Sequence, residues 1–212
     1  MLLICSCKYH IMILDGANMI KTYAELKTEY GHYANVKTKI SRLVKEGRII
    51  PVARGLYETD RNADPILLAN AIYGPSYVSF QTALSEYGII PDVVQSVTSA
   101  TTLKRHSREY VNTFGRYLYR DVPRSVFPYG LTDRSENGYS LFWATPEKAV
   151  CDMLYIVSPV KSIRECESLL FEDLRFNEEV FRQLNKEELL FLSGLYRNSN
   201  HKILGKLVKE ML

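Results

Sequence analysis

Asn35, Lys37, Thr38, Lys39, Ser41, Arg42, Lys45, Arg48 and Arg54 fall within one short stretch, and no acid interrupts them before Glu46. Lys and Arg neutralise phosphates, while Asn, Thr, Ser and Arg also carry donors or acceptors that reach base edges in a DNA groove. At about 100° per residue, Asn35, Thr38, Ser41, Arg42 and Lys45 project from one side of a helix flanked by Lys37 and Lys39. Val36, Ile40, Leu43 and Val44 project from the other side. Arg54-Gly55 reads as a tight turn, and a guanidinium at such a tip can enter a minor groove or pair with phosphate. These residues are the candidate DNA contacts. A merely solvated cationic face is the competing reading, and a protein-binding face is a third.

Two other constellations invite chemistry. Glu147, Lys148 and Asp152 bring two acids and a lysine onto one segment. Nucleases use carboxylates to hold a metal and a lysine to polarise water or phosphate. The simpler reading is structural: Glu147 is an exposed first-turn charge favoured by the helix dipole, and Lys148 and Asp152 are an i, i+4 pair. No second acidic motif accompanies them, so no catalytic residue is expected. Lys104, Arg105, His106 and Arg108 form the other basic cluster, which fits a solvated turn, an extended DNA footprint or a surface for an acidic partner. The four histidines, His10, His32, His106 and His201, show no triad or metal spacing, and there is no phosphate-cradling glycine loop. Neither a metal nor a cofactor is expected.

The elements that must position these groups have clear signals. Thr22 with Glu25 is a capping box opening a helix with Tyr23, Leu26 and Tyr30 on one face, which Gly31 ends. Asn35 is an N-cap for the cationic helix, and Gly47 is its left-handed stop. Ile49 to Val52, the Arg54-Gly55 turn and Leu56-Tyr57 read as strand, turn, strand. Helix, turn, cationic helix and hairpin, in that order, spell a winged helix-turn-helix, with Ile11 to Leu14 beginning a preceding helix. Asp60 to Asp64 is a polar linker.

Beyond it, Pro65 to Tyr73 and Phe80 to Tyr87 read as helices, Val93 to Thr102 and Arg116 to Asp121 as strands. Asn137-Gly138 is a type I′ hairpin signal before a strand at Tyr139 to Trp143. Thr145 and Pro146 then start a helix whose buried side is Ala149, Val150, Met153 and Leu154, and three further helices follow. The expected fold is α+β: a winged helix-turn-helix over residues 1–62, then a mixed domain over 63–212, with strands and a hairpin at about 93–143 and a helical bundle over 146–212.

The chain has 212 residues, a formal net charge of +3 and four cysteines. The basic excess lies within residues 1–60; the remainder is balanced. That suits a binder of limited footprint better than a nonspecific coat. Cys5, Cys7, Cys151 and Cys166 make no disulfide framework, and Cys5-x-Cys7 with His10 lacks zinc spacing; reduced thiols in the cytoplasm are the expectation. Met1 to Cys7 lacks the basic region of a secretion signal, and no run is long enough to span a membrane.

Three segments together resemble the AbiEi family, the antitoxins of AbiE-type (type IV) toxin–antitoxin systems. Arg54-Gly55-Leu56-Tyr57 resembles the family's R-G-x-Y. Tyr77-Val78-Ser79-Phe80-Gln81-Thr82-Ala83-Leu84, running on to Gly88, is similar to its Y-[IV]-S-x-x-(S/T)-A-L-x-x-x-G. Thr145-Pro146-Glu147-Lys148-Ala149-Val150-Cys151-Asp152 is similar to its T-P-E-K-A-x-x-D. The resemblance covers roughly residues 20 to 160, and the short, Cys-bearing N-terminus departs from it. It implies a two-domain transcriptional repressor that binds inverted repeats in double-stranded DNA of its own promoter. It further implies an antitoxin that neutralises a nucleotidyltransferase-like toxin without a stable complex. A nuclease-like enzyme targeted by the winged part, and a stand-alone regulator or adaptor without a toxin, are the alternatives.

Overall fold

A computed structural model describes residues 20–136 and 138–211. Ile11 to Leu14, Cys5, Cys7, His10 and the Asn137 half of the hairpin signal lie outside the described residues.

The chain begins with a short strand, β1 (Ile20–Thr22), and two helices, α1 (Tyr23–Glu29) and α2 (Val36–Lys45). The capping box forms as the sequence predicts. The Glu25 carboxylate accepts from the Thr22 N–H at 2.6 Å, and the Glu25 N–H donates to the Thr22 hydroxyl at 3.2 Å. A hairpin, β2 (Ile50–Ala53) and β3 (Leu56–Glu58), completes an antiparallel sheet in the order β1-β3-β2. Leu26, Ile40, Leu43 and Ile49 close a small core beneath it, joined by Tyr30, Val36, Val44 and Tyr57.

Pro51 donates no backbone hydrogen bond, and it occupies the edge strand β2, where none is required. The register slips just after it. At this irregularity Val52 is buried in the large core rather than the small one, and its carbonyl accepts from Asn112 Nδ2 at 2.9 Å.

A larger mixed sheet runs in the order β6-β7-β5-β4-β9-β8. Its strands are β4 (Ser76–Val78), β5 (Ser96–Thr101), β6 (Arg108–Asn112), β7 (Gly115–Asp121), β8 (Leu131–Glu136) and β9 (Tyr139–Ala144). β5 runs parallel to β7 and β4 to β9; the other pairs are antiparallel. α3 (Pro65–Ile72) is capped by Asp64 and packs on β4 and β9. α4 (Phe80–Glu86) and α5 (Pro146–Ile156) pack on each other, and Tyr77 reaches from β4 to α5. α6 (Ile163–Ser168) runs into a π-helical turn at Leu169–Asp173. α7 (Glu178–Arg182), α8 (Lys186–Leu195) and α9 (Ser199–Glu210) follow, with α8 and α9 against α5.

The α+β class is thus present, with helices and two sheets. Several local expectations change. β5 starts at Ser96, leaving Val93 exposed. β6 carries Arg108 of the basic cluster and is a strand the sequence reading passes over, because an exposed edge strand of alternating charge has no apolar period. After α5 the chain makes four helices among the described residues, not three.

Candidate nucleic-acid interface

α2 is fixed at both ends by side-chain and backbone chemistry. Asn35 accepts from the Thr38 N–H at 3.0 Å. At the other end Gly47 takes φ +65, and the Arg48 N–H bonds to the Leu43 carbonyl and the Gly47 N–H to that of Val44. This is a Schellman stop, in which the left-handed residue is favoured to be glycine. A Cβ at Gly47 would also sit 1.8 Å from the Arg61 guanidinium.

With Ile40 and Leu43 buried, the opposite arc of about 100° carries Thr38, Ser41, Arg42 and Lys45, all exposed. Lys37 is exposed at its border. No acidic side chain lies among them. Arg42 is the paired member: its Nε lies 3.0 Å from Glu46 one turn on. An exposed pair of this kind contributes little to stability, so it yields readily to a phosphate or base.

Other expected contacts are placed differently. Asn35 is exposed, but its carbonyl oxygen is engaged in the cap. Lys39 is half-buried, its ammonium 4.6 Å from the Tyr33 ring centre and 5.6 Å from that of Tyr30. It braces the turn between the helices rather than flanking the open arc. Arg48 is exposed just past the helix stop. Arg54 is exposed at the hairpin tip, where the Gly55 carbonyl accepts from the Tyr23 N–H at 2.7 Å. Arg48 and Arg54 therefore occupy opposite ends of β2, separated by its length of about 14 Å.

Arg61 is the cation that sequence reasoning missed. It belongs to the polar linker, yet its Nε donates to the Gly47 carbonyl at 3.1 Å, adding a charge beside the end of α2. A contact spanning fourteen residues leaves no local signal.

The Glu147, Lys148 and Asp152 constellation is a different object from the one expected. Lys148 and Asp152 do pair, with Nζ to Oδ1 at 3.3 Å, but both side chains are wholly buried. Lys148 also donates to the Val126 carbonyl at 3.0 Å and the Tyr196 hydroxyl at 2.7 Å, which uses all three ammonium hydrogens. Asp152 accepts from Ser79 at 2.7 Å, Tyr77 at 3.0 Å and Tyr196. Burial, then the Asp152 charge, holds both tyrosine hydroxyls well above their ordinary pKa. Gly130 makes room for the lysine: a Cβ there would lie 2.8 Å from the Lys148 Cβ.

Glu147, expected as an exposed charge, is buried and accepts from the Asn185 N–H at 2.8 Å. The reason is that α8 packs over the first turn of α5, which a linear reading cannot see. A saturated ion pair with no solvent contact holds its own neighbours and offers no free valence to a substrate.

Among the described residues no cluster of three or more His, Cys, Asp or Glu could hold a metal ion. No helix among them is long and apolar enough to cross a membrane. No protein-family model matches the chain, and a search of curated proteins finds no match either.

Proposed function

We propose that residues up to about 60 form a winged helix-turn-helix that binds double-stranded DNA, and that the protein is a sequence-specific transcriptional repressor of its own operon. α1 and α2 are the helix-turn-helix, α2 lies in the major groove, and the β2–β3 hairpin is the wing. The observation that carries this reading is the exposed arc of Thr38, Ser41, Arg42 and Lys45, with Glu46 beside Arg42 as its acidic neighbour, on a helix capped at both ends. The element order β1-α1-α2-β2-β3, with β1 completing the hairpin sheet, supports it, as does the basic tip at Arg54.

In this reading Thr38, Ser41 and Arg42 reach base edges. Lys37, Lys45, Arg48, Arg54 and Arg61 meet phosphates. The antitoxin role rests on the three family-like segments alone. Tyr77, Ser79, Lys148 and Asp152 of those segments meet in one buried network, so these motif residues specify a fold, and a surface facing a toxin has to lie elsewhere on the lobe.

A mobility-shift assay with the full chain on DNA from upstream of its own gene tests the proposal. Retardation of that DNA at concentrations where random DNA stays free is the expected result. Equal affinity for both would remove sequence specificity, and with it the repressor reading.

A further inference from the structure

The loop that carries the second basic cluster is held in an unusual shape. Leu103 has φ 64 and Arg105 φ 60, left-handed conformations that non-glycine residues rarely adopt. Asp121, at the end of β7, enforces them: its two carboxylate oxygens accept from the Lys104 and Arg105 N–H groups, each at 3.0 Å. The carboxylate is thereby occupied by backbone and forms no ion pair with either neighbouring arginine.

The result is an open cleft of about 360 Å³ lined by Arg105, His106, Ser107, Arg120 and Tyr155 above Asp121. Arg105, His106 and Ser107 are exposed, so the cleft is open to solvent on that side. The cleft lies at the carboxyl ends of the parallel strands β5 and β7, where Thr101 stands opposite Asp121. Arg120 is on the sheet face that α5 covers, in the row Tyr77, Ala100, Arg120. Its Nε is buried and has no hydrogen-bond partner, a group that calls for an acceptor. Tyr155, in the last turn of α5, presents a partly exposed ring beside it.

Two guanidinium charges outweigh the single Asp121 carboxylate on the floor of the cleft together with the partial negative end of α5, which amounts to about half a charge and fades within one turn. We propose that this cleft binds a phosphate monoester bearing a planar base, a ligand of mononucleotide size. Arg105 and Arg120 hold the phosphate with Ser107, and Tyr155 stacks on the base. The site is independent of the α2 face. Arg108, which follows Ser107 of the cleft lining, and Asn112, which bonds to Val52 of the small sheet, stand at opposite ends of β6, about 13 Å apart.

The test uses the full chain in equilibrium dialysis against adenosine 5′-monophosphate, ribose 5-phosphate and adenosine. Adenosine 5′-monophosphate is expected to bind best, ribose 5-phosphate more weakly and adenosine scarcely. Arg105→Asn is the decisive variant, because asparagine tolerates the left-handed backbone while removing the charge. It should keep the wild-type melting temperature and weaken both phosphorylated ligands roughly tenfold or more. Tyr155→Leu should weaken adenosine 5′-monophosphate and leave ribose 5-phosphate unchanged. Failure of the wild type to bind adenosine 5′-monophosphate, or equal binding by the wild type and Arg105→Asn, would overturn the proposal. Displacement by an oligothymidylate without terminal phosphates, as readily as by unlabelled adenosine 5′-monophosphate, would overturn the monoester assignment in favour of a nucleic-acid strand.

Discussion

Lys148 and Asp152 face each other across one turn of α5, and neither side chain reaches solvent. Removing one partner of such a pair leaves the other charge buried and uncompensated. Asp152→Asn is therefore expected to destabilise the protein by about 3–5 kcal/mol in urea unfolding. Lys148→Met combined with Asp152→Asn should lose less than the sum of the two single changes. Strict additivity would show that the two charges do not interact.

Glu147 gives a finer test of the same helix. Glu147→Gln keeps an oxygen for the Asn185 N–H and exchanges a charged acceptor for a neutral one, a loss of about 1 kcal/mol. Glu147→Ala strands that N–H and should lose about 1–3 kcal/mol. Equal losses in the two variants would mean that the charge, and not the hydrogen bond, holds α8 against α5.

His201 should make stability pH-dependent. Burial lowers its pKa to about 4, against the opposing pull of the Cys151 carbonyl and Asp152 and alongside the push of Lys148. The ring is stacked on Tyr196 with centres 4.0 Å apart, and Nε2 lies 2.9 Å from the Cys151 carbonyl. The unfolded chain, with an ordinary histidine near 6.5, binds the proton first. The contribution of His201 is thus complete above about pH 6.5 and lost as pH falls toward 4. Between pH 7.5 and 5 the wild type should lose about 2 kcal/mol more than His201→Gln. Parallel pH profiles would mean that the two carbonyl oxygens facing the ring nitrogens, those of Cys151 and the Asn198 side chain, hold the imidazolium well enough to offset its burial.

For DNA, Lys45→Ala should flatten the dependence of log K on log salt by about one phosphate contact. Arg42→Ala should weaken operator binding by about 1–3 kcal/mol and random DNA much less. The ion pair adds a further expectation: Glu46→Gln releases Arg42 and removes a like charge to DNA, so operator affinity should rise. An unchanged affinity would take Arg42 off the contact surface.

A full-length chain carrying Lys37→Glu and Lys45→Glu should lose DNA binding while keeping its melting temperature, since both residues are exposed. If the antitoxin proposal holds, this chain still rescues cells from the cognate toxin. Loss of rescue would show that repression alone protects. The double variant serves better than a fragment ending at residue 62, which would strip Val52, Ala53 and Leu56 of the core they pack against.

Local signals carried the hairpin and the two helices before it, but not the strand β1 that completes their sheet. The Thr22–Glu25 box, the Asn35 cap and the Gly47 stop each depend on residues within a few positions, and each formed where the sequence predicts it. The same holds for Thr145 at the start of α5. What the sequence hid depends on distant partners. The burial of Glu147 requires Asn185, the saturation of Asp152 requires Tyr77 and Tyr196, and the placement of Arg61 requires the Gly47 carbonyl. Lys39 was misplaced for a related reason: helical periodicity sets its azimuth, but the pull of the Tyr33 ring sets where its ammonium rests.

The network around Asp152 also has a temporal consequence. Its donors come from Tyr77, Ser79, Lys148 and Tyr196, and a ribosome delivers the last of these 44 residues after Asp152. Chains emerge and fold from the N-terminus, so a nascent intermediate that ends between residues 152 and 196 carries a lysine and a carboxylate missing a hydroxyl they share. A product of premature termination anywhere in that interval is expected to remain open and to be degraded.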